Sequence, residues 1–143
     1  MRKILKERDR VLSLLSGKLE GFYLGGGTAL SMFYFQHRES FDIDFFTKEF
    51  SMVKINKVMS FLSGETGMDV KLNKADLNQR DRAKVAVYYL KIDKNNFLKI
   101  DFIEDIYDLI KPFKMIDGVS ILSKEDIYAR KIYASCGCYQ KED

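Results

Sequence analysis

Two acids separated by one residue, Asp42 and Asp44, sit in the apolar run Phe41-Asp42-Ile43-Asp44-Phe45-Phe46. If that run is a strand, side chains alternate, so both carboxylates share one face while Phe41, Ile43 and Phe45 share the other. Two such charges repel by roughly 3 kcal/mol at about 5 Å and an effective dielectric near 20. A divalent cation with oxygen ligands, magnesium above all, relieves that repulsion. Asp101 repeats the pattern in Phe97-Leu98-Lys99-Ile100-Asp101-Phe102-Ile103, a single acid at the centre of an apolar strand. An acid in that position costs stability unless it is paired or metal-bound. If the two strands are neighbours, three carboxylates converge, an arrangement suited to two-metal chemistry on phosphate. A structural pairing of Asp101 with Lys99 or Lys84 is the competing reading.

Upstream, Gly25-Gly26-Gly27-Thr28 lies between a short apolar strand, Phe22 to Leu24, and a helix expected from Thr28 to about Gln36. Main-chain N–H groups and the Thr28 hydroxyl at a helix start can hold phosphate oxygens. The glycines can equally serve only backbone geometry or close packing. Neither G-x-G-x-x-G nor a G-K-[ST] ending is present, so this is no dinucleotide fingerprint and no P-loop.

The remaining elements must place these groups. An amphipathic helix is expected over about Lys3 to Leu15, ended by Gly17, and another over Met52 to Leu62, broken at Gly64. Met68 to Leu72, Lys84 to Ile92, Phe97 to Ile103 and Val119 to Leu122 read as strands, with Asp93-Lys94-Asn95-Asn96 as a hairpin turn. Asn73 to Arg82 is the most polar internal stretch and is expected to be an exposed loop. Ser123 is placed to cap a final helix, its hydroxyl and the Asp126 carboxylate meeting free backbone N–H groups. Together these define an α+β domain with a mixed β-sheet flanked by helices.

Composition narrows the class. The chain has 143 residues, enough for one domain, with 46% hydrophobic and 31% charged residues and a net charge of +3. That mild positive charge is compatible with a polyphosphate or RNA partner without demanding one. Cys136 and Cys138 are too few and too close for a disulfide framework or a zinc site, and read as reduced thiols. The charged first ten residues hold no signal-peptide core, and no apolar run approaches membrane-spanning length. A cytoplasmic location, with no membrane partner, is the expectation.

Leu24-Gly-Gly-Gly-Thr-Ala-Leu, followed by His37-Arg38-x-Ser40-x-Asp42-Ile-Asp44-Phe-Phe, resembles the signature of the AbiEii-type minimal nucleotidyltransferases of abortive-infection and type IV toxin–antitoxin systems. Lys99-Ile100-Asp101-Phe102-Ile103 is similar to that family's third-acid strand, and Ser123 to Ala134 resembles its lysine-bearing helix. The resemblance runs from about Phe22 to the C-terminus, with the gap from glycines to acids about one residue longer than in many members.

The resemblance implies a nucleotidyltransferase-like fold over 1–143. It also implies transfer of a nucleoside monophosphate from an NTP to an RNA acceptor, tRNA included, or to a protein acceptor, with an antitoxin as partner. Asp42, Asp44 and Asp101 would be catalytic and bind Mg2+ (or Mn2+), and Asp101 could act as base. Gly26, Gly27, Thr28, Arg38 and Lys131 would bind the nucleotide, and Lys131 would also meet the transition-state charge.

Lys131 has apolar neighbours, Ile127 and Ala134, at i−4 and i+3, which also fits a snorkelling lysine with a packed stem. The His37-Arg38-x-Ser40 element is expected to brace the acid strand, with Arg38 near a carboxylate. In the family more helices follow the lysine helix, whereas here the chain stops after Lys141-Glu142-Asp143. A trimmed form and a minimal member are both open. A catalytically inactive nucleotide- or partner-binding module is the alternative, and nucleotidylation of a small molecule such as an antibiotic is a third reading.

Overall fold

Alternation in Phe97–Glu104 decides which side of the sheet is dry. Leu98, Ile100 and Phe102 are buried, while Lys99, Asp101 and Ile103 between them are only half-buried. A strand of that pattern needs an apolar layer against one face and tolerates a polar cleft on the other. A computed structural model of the protein, describing residues 2–34, 41–78 and 82–135, supplies both.

In chain order the elements are α1 (Arg2–Leu15), β1 (Phe22–Gly25), α2 (Gly26–Phe33), β2 (Ile43–Thr47), α3 (Met52–Thr66) and β3 (Val70–Asp76). Then come β4 (Val85–Lys91), β5 (Phe97–Glu104), β6 (Lys114–Ile116), β7 (Val119–Ile121) and α4 (Lys124–Ser135). The seven strands form one mixed sheet in the order β3-β4-β5-β2-β1-β7-β6. The β1–β7 and β2–β5 pairs are parallel, and the other four are antiparallel. The expected α+β class with a mixed sheet is what the chain adopts.

The dry face carries α1 and α3. Val11, Leu12 and Leu15 of α1 and Ile55, Val58, Met59 and Leu62 of α3 join the strand residues in one buried cluster. Phe102 sits among aromatic rings at its centre: Phe22 and Phe45 have centroids 5.6 Å away, and Tyr88 lies edge-on at 5.8 Å. Tyr88 also reaches across to α3, its hydroxyl donating to Asn56 Oδ1 at 3.0 Å. On the opposite face α2 and α4 pack against each other.

Several local expectations need correction. Helix α3 does not break at Gly64 but runs to Thr66, where Gly67 takes a left-handed conformation (φ 69°) and donates its N–H to Ser63 O at 2.9 Å. A glycine inside a helix costs only about 1 kcal/mol, less than the buried face of α3 recovers. Helix α2 starts two residues earlier than expected, at Gly26, and its assigned span ends at Phe33. The first part of the polar stretch expected to be a loop is strand: β3 extends to Asp76, paired to β4 with a bulge between Leu72 and Lys74. It is an edge strand, and lysines with a bulge are how such edges stay polar. The short strand β6 was not anticipated.

Candidate active site

The acid pair is set by register. On β2 and β5, Asp44 stands directly opposite Asp101, and parallel partners in register point to the same face. The row continues through Gly25 of β1 on one side and Val87 of β4 on the other. The two carboxylates therefore lie side by side on the cleft face, each backed by apolar residues one position away on the dry face.

The glycine elbow closes on this pair. Gly26 has φ 68°, a conformation that favours glycine, and a Cβ built there would be driven into the Asp44 carboxylate. At Gly25 a Cβ would meet the Phe46 ring at 2.7 Å and Leu122 Cδ1 at 2.9 Å. Absent side chains thus let the α2 N-terminus, the positive end of the helix dipole, lie against the acids.

Thr28 is placed differently from expectation. Its side chain is buried and its hydroxyl donates to the Asp42 carbonyl, tying α2 to the entry of β2. The hydroxyl thus braces the acid strand, and any phosphate contact from Thr28 would have to come through its main-chain N–H.

Burial is the main reason the Asp44 carboxyl is pushed up to about 7, with Asp101 and Asp42 adding to the rise and Lys99 and Lys131 opposing it. Burial likewise raises Asp101, against the pull of Lys99. Burial pulls the Lys99 ammonium down, but Asp101 and Asp42 outweigh it and leave its pKa raised. Lys99 Nζ stands 3.5 Å from Asp101 Oδ2, so the structural pairing weighed above does exist. It satisfies one oxygen only. Among the described residues Asp101 Oδ1 is buried with no hydrogen-bond partner.

A buried, orphaned carboxylate oxygen beside a second acid whose charge burial resists is a donor set short of a cation, and hard divalent ions accept such oxygens. Asp44 and Asp101 fit a metal in that sense. Asp42 is exposed, outside β2, and acts on the pair through its charge. Among the described residues no three acidic, histidine or cysteine side chains stand at metal-holding spacing.

Asp44 opens into a cleft of about 470 Å³. Gly26, Gly27 and Asp44 line one end, and Ile127, Arg130, Lys131 and Ala134 of α4 line one wall. Lys131 is half-buried there, with Ile127 and Ala134 beside it as its helical spacing predicts. Asp76 and Arg82 also line the cleft and were not singled out from the sequence, because their segment was taken for an outlying loop. His37, Arg38, Ser40, Cys136 and Cys138 lie outside the described residues.

Sequence reasoning also passed over what holds α4. Arg130, 4% exposed, donates through Nε and Nη2 to the two oxygens of Asp105 at 3.0 and 2.8 Å, and through Nη1 to Asp126 Oδ1 at 2.8 Å. Ser123 caps as expected, its Oγ accepting the Asp126 N–H at 3.1 Å. The Asp126 carboxylate does not complete that cap. It accepts the N–H groups of Ile110 and Lys111 at 2.9 and 3.0 Å and the Ser123 hydroxyl at 2.7 Å. The one sequence hint was a pair of adjacent cations, Arg130-Lys131, on a helix with a buried side.

A mixed sheet with two in-register acids facing a glycine-led helix defines a nucleotidyltransferase-type fold, and comparison with solved structures agrees. JHP933 from Helicobacter pylori superposes with a TM-score of 0.61 at 21% identity, over 94% of this chain and 58% of that one. MenT4, a nucleotidyltransferase toxin from Mycobacterium tuberculosis H37Rv, gives 0.63 at 14% identity, over 92% of this chain and 51% of that one. The chain thus spans between half and three fifths of the length of these structures. No curated protein matches it in sequence. The family profile described as nucleotidyl transferase AbiEii toxin, type IV toxin–antitoxin system, matches residues 10–141, and the chain belongs to that family. Among the described residues no helix is long and apolar enough to cross a membrane.

Proposed function

We propose that this domain transfers a nucleoside monophosphate from an NTP to a hydroxyl of an RNA, tRNA included, or of a protein, as the toxin of a toxin–antitoxin pair in the cytoplasm. The observation that carries the reading is the register pair Asp44–Asp101 pressed against Gly26 at the head of α2.

Gly26, Gly27 and Thr28 hold the triphosphate through main-chain N–H groups, where the helix end favours anions. Arg38 belongs to the same nucleotide-binding set by family resemblance. Asp44 and Asp101, with Asp42, would hold Mg2+ or Mn2+. Such an ion, when bound, neutralises phosphate charge and stabilises the attacking and leaving oxygens. The acceptor oxygen bonds to the α-phosphorus as the bond to the β-phosphate oxygen breaks, and pyrophosphate leaves. Asp101, whose proton affinity burial has raised, takes the proton of the acceptor hydroxyl. Lys131 meets the charge that builds on the phosphoryl oxygens. Positioning and charge neutralisation supply most of the acceleration in such transfers.

The test is incubation of the purified protein with magnesium, total RNA and each labelled NTP in turn. Label should enter RNA or protein with one NTP preferred, and Asp44→Asn should remove it. Nucleotide binding by calorimetry with no transfer to any acceptor would instead favour the binding-module reading.

A further inference from the structure

We infer that the Asp105–Arg130 pair is a positioning junction that sets the rotation of α4, and with it the place of Lys131 relative to Asp44 and Asp101. Three connections meet at Asp105. It directly follows β5, the strand of Asp101, and its N–H donates to the carbonyl of Thr47 at 2.8 Å, the last residue of β2, the strand of Asp44. Its carboxylate, fully buried, takes both arms of the Arg130 fork on α4. It also accepts from the Tyr23 hydroxyl of β1 and lies 3.5 Å from Lys48 Nζ. One residue thus joins both acid strands to the helix that carries the lysine.

A bidentate guanidinium–carboxylate contact fixes direction as well as distance, which a lysine in its place cannot do. Asp126 locks the other end of the same helix by holding the 110–111 main chain and Arg130 Nη1. Burying these charges is a poor route to stability, since well-packed apolar residues of similar volume often do as well or better. What the network gives instead is a defined helix rotation. Lys131 follows Arg130 directly, so a turn of α4 by ~20° would carry its ammonium ~2 Å along the cleft wall, given a helix with side chains some 10–12 Å across. Misplacement on the order of 1 Å can cost about 100-fold in rate.

The role of Lys131 in transfer rests on the function proposed above, but its placement can be read without turnover. In the full chain, carrying 13C-methylated lysines, the Lys131 resonance is assigned by its loss in Lys131→Arg and followed at a fixed pH of about 8.5, above the value of about 7 through which Asp44 gains its charge. Asp44→Asn should displace that resonance in the native background, and Arg130→Lys should at least halve the displacement. Where Arg130→Lys does not fold, the isosteric Asp105→Asn is measured in its place with the same expectation.

In transfer assays Arg130→Lys should lower kcat about 10- to 100-fold with a smaller change in KM for the acceptor. It should add little to Lys131→Ala. A full displacement in the Arg130 or Asp105 variant, or none in the native background, would overturn the inference. Absence of transfer by the native protein with all four NTPs would sink the proposed function and leave the resonance test standing.

Discussion

Asp44 carries a conflict that only a ligand resolves: burial and two neighbouring acids resist its charge, yet the charged form is the one that binds cations. Its pKa of about 7 in the fold lies above the value of about 3.9 expected in an unfolded chain. The folded state therefore holds the extra proton between those values. The stability that this confers is complete below about pH 4 and is lost as pH rises through about 7. In chelator, urea midpoints should fall across that interval. Asp44→Asn should flatten the profile and raise stability at pH 8 by on the order of 2 kcal/mol, because the carboxyl keeps one side toward the open cleft. Magnesium should restore the native protein at high pH and leave the variant unchanged.

Activity should respond oppositely, with Asp44→Asn and Asp101→Asn each losing at least about 100-fold in label transfer. The paired acids were legible because alternation in a strand fixes their side. Asp105 was not, since an aspartate after a strand is ordinarily read as a solvated surface residue. Only the fold shows that it is buried under α4.

At the scale of elements, the glycine elbow makes the sharpest demand. Gly26→Ala would place a methyl in the Asp44 carboxylate and force a left-handed backbone on alanine. It should destabilise the protein by at least about 1 kcal/mol in thermal unfolding and abolish transfer, while Gly64→Ala, with open space around it, should be silent or slightly stabilising. Those two glycines look alike in the sequence. Position after an apolar strand marked Gly26 as special, whereas Gly64 was mistaken for a helix end because burial of Ile55, Val58, Met59 and Leu62 outweighs local propensity. The second half of strand β3, Asn73 to Asp76, was hidden for the converse reason. An exposed edge strand has little apolar pattern to display, and its lysines and asparagine mimic a loop.

For the whole molecule, stability lives in the aromatic layer on the face away from the cleft. Phe102→Ala should cost about 3–5 kcal/mol in denaturant unfolding, since three rings and the α1–α3 layer would lose their common neighbour. The α+β class and the mixed sheet could be read from the order of helices and strands. The strand order could not, because β2 and β5 are neighbours although residues 48–96, two other strands and a helix among them, lie between them in the chain. Nothing local in either segment names its partner.

The alternation of Asp101 with Phe102 gives the parallel β2–β5 pairing a built-in proofreading step. Sliding β5 by one position would send the acid inward and Phe102 into water, a penalty on two counts. A slip of one position cannot keep both the acid on the cleft side and the ring in the core, so core packing and the alignment of Asp44 with Asp101 select the same pairing.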